Sequence, residues 1–343
     1  MTSFNRKSLV IVASDIHLGN FYCRRKKFED FLVNLLQNIE RGNLQQLKAF
    51  IILGDTFDLI MSTFWNLCNN PEFKRSYNLL STINNQGVNI IFILGNHEIL
   101  TTGSYNRVFK LRKRKFMYNM RNSGFNYDLL NDLTLCQYAV IGRNEGNKLV
   151  LMLYDSAKKI RYDSNSRLTN TDRQLVLTPN NDFNGKSYLM THGYQFEDWD
   201  THHFVTAPWW SIFMGLSEDS KKGLNKFWYE WNSDREDFNY DAFYRYLDSE
   251  GIRKTHIKGG HIKNFLQHEV YEKNKRFYKN IPNFLKTKRL KGITNIVFGH
   301  IHDALQVKDG SITMTTNGCW IGNKQSYFTE ILTNGDYILK EIL

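Results

Sequence analysis

Leu9-Val-Ile-Val-Ala-Ser-Asp15-Ile-His17 carries the fold in miniature: five apolar residues in a row, followed almost at once by two metal-ligand residue types. A continuous apolar run, unlike an alternating one, is the pattern of a strand buried on both faces of a layered α/β sheet. The pattern recurs in Phe50-Ile-Ile-Leu-Gly-Asp55, Asn89-Ile-Ile-Phe-Ile-Leu-Gly-Asn96, Tyr188-Leu-Met-Thr-His192 and Asn295-Ile-Val-Phe-Gly-His300. Ligands hung on the C-terminal ends of such strands converge on one sheet edge, where α/β folds place their sites.

In order, these ends offer Asp15-Ile-His17, Gly54-Asp55-Thr-Phe-Asp58, Gly95-Asn96-His97-Glu98, Thr191-His192-Gly193 and Gly299-His300-Ile-His302. Asp, His and Asn donors without a thiolate suit Mn²⁺, Fe, Co²⁺ or Zn²⁺ in a reactive site better than structural zinc. The i, i+2 spacing of Asp15/His17 and of His300/His302 can aim both side chains at one point, and the neighbouring glycines permit sharp loops. The set is large enough for two divalent metal ions sharing one carboxylate. Such ions, about 3.5–4 Å apart, can hold a hydroxide nucleophile, bind a phosphate oxygen and neutralise the charge of an in-line displacement. That chemistry is phosphoester hydrolysis.

Around these runs, Lys27–Ile39 sets Phe28, Phe31, Leu32, Leu35 and Ile39 at helical spacing, and Tyr77–Ile83 is similar. Both read as helices covering the sheet. From Ala304 to Leu343 apolar and polar residues alternate between Asp309-Gly310, Asn317-Gly318 and Asn334-Gly335, the pattern of a hairpin-rich ending and a second packed sheet. Between His192 and His300 the texture changes: Trp199, Trp209, Trp210, Trp228 and Trp231 crowd together before a basic stretch from Lys273 to Lys291. The domain reading is a core of residues 1–198 and 292–343 with a helical, aromatic-rich cap insertion at 199–291.

The five blocks resemble the signature of the calcineurin-like metallophosphoesterase superfamily, in order and in the spacing of Asp15, Asp55 and Asn96. The resemblance covers nearly the whole chain outside 199–291. It implies a four-layer α/β/β/α sandwich. It assigns Asp15, His17 and His302 to one metal, Asn96, His192 and His300 to the other, and Asp55 to both. His97 then matches the histidine that stabilises the transition state or protonates the leaving oxygen, and Asp58 the carboxylate that orients it and raises its pKa. Thr316-Asn-Gly-Cys-Trp320 resembles the family's final strand turn, with Cys319 where Ser is usual.

Protein phosphatases of this family carry Arg-Gly after the second Asp of the second block, where Leu59-Ile60 stand here. The opening Asp15 to Gly19 is more similar to the UDP-diacylglucosamine pyrophosphohydrolases of lipid A synthesis and to the double-strand-break repair nucleases. The His192-Gly-Tyr-Gln-Phe196 segment resembles the former with an Asp replaced. The resemblance therefore implies a metal-dependent hydrolase, cleaving a phosphodiester or pyrophosphate by a metal-activated hydroxide, with Mn²⁺ the expected metal. A nuclease acting on DNA or RNA and a phosphomonoesterase are the alternatives. A scaffold that has lost catalysis is disfavoured because every expected ligand is present.

The 343 residues include 24 Phe, 18 Tyr and 7 Trp, enough burial to exclude a disordered chain. The longest apolar runs fall far short of the roughly 20 residues that span a bilayer, and the N-terminal run is shorter than a secretory signal core. Four scattered cysteines without a Cys-x-x-Cys pair fit reduced thiols, so a cytoplasmic protein is expected.

The net charge of +11 favours polyanionic partners: a phosphorylated small molecule, nucleotide or lipid-linked substrate, nucleic acid, or an anionic membrane surface. The run Lys110-Leu-Arg-Lys-Arg-Lys115, with Arg107, Phe109, Phe116 and Arg121, has the interleaving for such contacts, although a solvated basic helix face is the commoner reading. Arg24 and Arg25 are candidate substrate-phosphate donors. The Trp209-Trp210-Phe213-Met214 group reads first as ordinary cap core, with an apolar pocket for an acyl chain or a base-stacking platform as the alternatives. His202, His203, His256, His261 and His268 match no block and read as structural or surface residues.

Overall fold

The computed structural model describes residues 2–58, 67, 70–100, 134–144, 146–154, 157–158, 173–178, 183–196, 279–322 and 325–342. The basic cluster at 107–121 and the expected cap, up to residue 278, lie outside them.

Four apolar segments pair in parallel in the first sheet: β1 (Ser8–Ala13), β2 (Ala49–Leu53), β3 (Asn89–Ile93) and β4 (Thr134–Cys136). Antiparallel strands finish it, β7 (Ala157–Lys158) beside β4 and β13 (Tyr327–Leu332) with β14 (Tyr337–Glu341) beside β1. The second sheet has a parallel centre of β9 (Tyr188–Thr191), β10 (Asn295–Phe298) and β12 (Ile312–Asn317). On one side β11 (Ala304–Asp309) closes it, and on the other β5 (Tyr138–Arg143), β6 (Leu149–Tyr154) and β8 (Arg173–Thr178), all antiparallel.

The sequence reading sets all five ligand-bearing runs along one sheet edge. The structure divides them between two: β1, β2 and β3 in the first sheet, β9 and β10 in the second. The tail divides as well, because β11 and β12 join the second sheet while β13 and β14 return to the first. Alternation marks a strand but not its partner, which is chosen by contacts distant in sequence.

The period of two along each strand sorts side chains into layers. In β1, Val10 and Val12 face the space between the sheets with Ile51, Ile91, Ile141, Leu151, Met190 and Val297. Ile11 and Ala13 point the other way, onto Phe28, Phe31, Leu32 and Leu35 of α1 (Arg25–Glu40), with Leu80 and Ile83 of α2 (Pro71–Asn85) in the same cluster. The second helix starts where the sequence demands it, with Asn70 accepting the Glu72 N–H and Pro71 in the first turn. Across the molecule, α4 (Ile281–Thr287) lays Ile281 and Phe284 against Tyr138, Val140, Leu189 and Phe298 of the second sheet.

The result is the α/β/β/α order of layers. Each Leu, Ile or Phe so buried contributes roughly 1.5–3 kcal/mol of transfer free energy. The helix α4 falls inside the 199–291 stretch, so the last part of that stretch packs on the core sheet.

Antiparallel pairing with β13 places β1 inside the first sheet. The fully buried Glu330 carboxylate of β13 accepts the Asn5 N–H (2.8 Å) and the Ser8 hydroxyl (2.9 Å), and lies 2.6 Å from Lys340 Nζ on β14.

Candidate metal centre

The loops after β1, β2, β3, β9 and β10 meet at the C-terminal ends of the two sheets, and the backbone there is unusual. Asp15, His17, Asp55, His300 and His302 all have positive φ, between 46° and 73°. Non-glycine residues avoid this region, and where it clusters it marks a functional site. Backbone bonds tie the first two loops together: His17 N to Asp55 O (2.7 Å), Leu18 N to Thr56 O (2.8 Å) and Asp58 N to Leu18 O (2.8 Å).

Glycines from other blocks hold the carboxylates and the buried imidazole in place. A β-carbon on Gly95 would strike Asp55 Oδ1, one on Gly299 would strike Asp15 Oδ2, and one on Gly54 would strike the His192 ring. Asp15, Asp55 and His192 are thus each cradled by a glycine of a different block.

The side chains form two groups that share Asp55. Asp15, His17, Asp55 and His302 bring ligand atoms within 4.8 Å of one another, and so do Asp55, His192 and His300. In the first group His17 Nε2 and His302 Nε2 face each other at 3.2 Å, with His302 Nε2 3.5 Å from Asp15 Oδ1. In the second, Asn96 Oδ1 lies 2.8 Å from His192 Nε2 and 3.0 Å from His300 Nδ1, and Asp55 Oδ2 lies 3.3 Å from His192 Nε2.

This donor set fits divalent cations. Asp15, His17, Asp55 and His192 are almost fully buried, where unpaired charge is costly. The neighbouring imidazoles nevertheless hold Asp15 and Asp55 below the ordinary carboxylate range against the effect of burial, so both are ionised. His192 Nδ1–H donates to Leu53 O (2.7 Å) and His17 Nδ1–H to Asp58 Oδ2 (3.2 Å), which turns each Nε2 toward the cluster. Fixing the tautomer through the second nitrogen is how metal-ligating histidines are oriented.

His97, 19% exposed, is the most open imidazole of the His17–Asp58–His97 group. Its Nδ1 donates to Asp58 Oδ1 (2.9 Å), its backbone N–H donates to Asp55 Oδ1 (2.9 Å), and its Nε2 lies 3.7 Å from Asp55 Oδ2. Burial opposes its charge, but Asp55 and Asp58 outweigh burial and raise it to about 10. Asp58, pulled well below its usual range by the same imidazoles despite burial, stays ionised.

Arg24 and Arg25 are not brought into these groups. Arg24 Nη2 donates to Ser326 Oγ (2.9 Å), and Arg25 Nη1 to Glu29 Oε1 (3.1 Å).

Two residues at the site carry no role in the sequence reading. Buried Glu98 accepts the N–H groups of Asp55 (3.0 Å), Phe57 (2.9 Å) and Gly95 (2.8 Å), joining the second and third blocks. Burial and Asp55 raise it to about 7. Its signal is present in the sequence: Gly95 precedes α3 (Asn96–Leu100), and a Glu three residues on is the reaching-back half of a capping box. The other is Asn20, whose amide meets Asp58. Nothing in its spacing announces that contact.

A two-sheet α/β sandwich with a shared-carboxylate cluster of Asp, Asn and His at its strand ends is the arrangement of a metal-dependent hydrolase. Residues 8–304 match the model of the calcineurin-like phosphoesterase family, and the chain belongs to that family.

It is 28% identical over 91 residues to the DNA double-strand break repair protein Mre11 of Nanoarchaeum equitans, an alignment covering 26% of this chain. The chain spans 24% of the length of that curated relative. Solved structures with which it aligns include an archaeal phosphodiesterase (10% identity, 97% of this chain and 98% of the other, TM-score 0.31). Another is a dimetal phosphatase from Danio rerio (10% identity, 97% and 95%, TM-score 0.36).

Proposed function

We propose that this protein is a dinuclear-metal-dependent phosphoesterase that hydrolyses a phosphodiester or pyrophosphate bond. Asp15, His17 and His302 would hold one divalent ion, Asn96, His192 and His300 the other, and Asp55 both. When bound, the ions supply Lewis acidity to the phosphoryl group and activate water at neutral pH. The observation that carries the reading is that donors from four separate blocks form two groups with Asp55 common to both, and Asn96 of a fifth block meets His192 and His300 of the second group.

The protein's own part is to place and hold protons. Asp58 accepts the Nδ1 proton of His97, and the raised pKa keeps Nε2 protonated at neutral pH. That Nε2–H is the donor available to the leaving oxygen, on the open side of the group. Mn²⁺ is the metal we would supply first. A cytoplasmic setting goes with the reading, supported by the sparse, unclustered cysteines.

A nuclease is the second reading, favoured by the net charge of +11 and by the local similarity to a DNA repair protein. The first test is turnover of bis-p-nitrophenyl phosphate beside p-nitrophenyl phosphate by metal-stripped protein, with and without Mn²⁺. Metal-dependent diester cleavage that exceeds monoester cleavage, and is lost in Asp55→Asn, is the expected outcome. Strong monoester preference would replace the diesterase by a phosphatase.

A further inference from the structure

Asp58 serves two imidazoles, not one. Its Oδ1 accepts His97 Nδ1 (2.9 Å), and its Oδ2 accepts His17 Nδ1 (3.2 Å). The terminal torsion of an aspartate is broad, so one or two donors leave the carboxylate free to swing. A third donor is present: Asn20 Nδ2 gives the shortest contact in the set, 2.7 Å to Asp58 Oδ2.

The Asn20 side chain is itself held. Its Oδ1 accepts the Tyr22 N–H (2.9 Å), its backbone N–H donates to His17 O (3.0 Å), and its carbonyl accepts the Cys23 N–H (3.1 Å). These bonds fix which end of the amide faces Asp58. The side chain is buried and neutral, so it constrains the carboxylate without competing with the imidazoles as a cation would.

We propose that Asn20 is a positioning residue: it pins the Asp58 carboxylate in the orientation that holds His17 and His97 at once. One amide thereby aligns an imidazole of the first metal group with the imidazole that faces the leaving oxygen. The catalytic half of this inference rests on the function proposed above, and the geometric half does not.

Two measurements on the full chain test it. The first is bis-p-nitrophenyl phosphate turnover, with Mn²⁺, by the wild type, Asn20→Ala, Asn20→Ser, Asp58→Ala and the Asn20→Ala/Asp58→Ala double variant. The serine hydroxyl can still accept the Tyr22 N–H in a short turn but cannot reach Asp58, so it keeps the loop if alanine does not. Both single Asn20 variants are expected to lose roughly ten- to hundredfold in kcat, the range for residues that orient ligands. KM should stay within about twofold, as for an interaction made only in the transition state. In the Asp58→Ala background, removing Asn20 should cost nothing further, because the two act as one unit. An unchanged kcat in both Asn20 variants, or equal losses in both backgrounds, overturns the proposal.

The second measurement is the imidazole ¹⁵N spectrum of metal-free, histidine-labelled protein. The Nδ1 signals of His17 and His97 should both move in Asn20→Ser, and no movement of either overturns the proposal whatever the kinetics. A wild type inactive on every ester with every metal would refute the proposed function, and this spectrum would then decide the role of Asn20 alone.

Discussion

At the scale of single residues, the proposed metal site would exchange protons for cations. Without metal, Asp55 and Asp58 raise His97 from 6.5 to about 10, and Asp55 raises His192 to about 9, in each case against burial. A raised folded pKa stabilises fully below the unfolded value, and the stability is lost as pH climbs through the folded one. Asp58, depressed below 3.8, contributes above its unfolded pKa and loses that contribution on acidification. The metal-free protein should therefore lose thermal stability between pH 6.5 and about 10, and His97→Asn should flatten that decline in calorimetry.

If His192 ligates a metal as proposed, binding requires it neutral, so binding at pH 7 should release protons, and apparent affinity should rise up to about pH 9. Titrations in two buffers of different ionisation enthalpy would count those protons, and a buffer-independent heat would contradict His192 as a ligand. Because Asp15 and Asp55 sit at positive φ, asparagine, which tolerates that region, is the cleaner replacement there than alanine.

At the scale of elements, the strand-end loops interlock through glycine. Gly299→Ala drives a methyl into Asp15, and Gly95→Ala drives one into Asp55. Each should cost about 1–3 kcal/mol as overpacking and also lower metal content. Gly142→Ala on β5, where the added carbon would meet only Met152 Cε at 3.7 Å, should leave both unchanged. Denaturant midpoints beside metal analysis would check the contrast. On the helical face, Phe31→Ala should cost about 3–5 kcal/mol, since its ring packs against Phe4, Phe50, Trp320 and Phe328.

These elements also show where the sequence stops being readable. The runs that became β1, β2, β3, β9 and β10 declare themselves because strands buried on both faces need unbroken apolar residues. Leu149-Val-Leu-Met-Leu-Tyr154 carries the same signal and becomes β6, although no ligand at its end draws attention to it. The candidate ligands are legible because each strand end repeats one short pattern. That Asp58 also holds His17, and that Asn20 holds Asp58, is settled by contacts about forty residues apart in sequence, which no local period encodes.

At the scale of the whole molecule, a charge of +11 sets the approach of any phosphate-bearing partner. If nucleic acid binds, the logarithm of its binding constant should fall linearly with the logarithm of salt concentration, with a slope of about −0.9 per neutralised phosphate of a duplex. Fluorescence anisotropy with labelled DNA at several salt concentrations measures this, and a flat response would leave small phosphoesters as the substrates to pursue.

The placement of β1 also sets a timetable for synthesis. This strand leaves the ribosome before β2 and β3, yet its other neighbour β13 begins only at Tyr327, and Asn5 waits for Glu330, 325 positions on. His300 and His302 are late arrivals too. Until then the nascent chain exposes an apolar strand edge able to pair with other chains. A chain truncated before Tyr327 should therefore aggregate, and metal loading should wait until His302 has emerged.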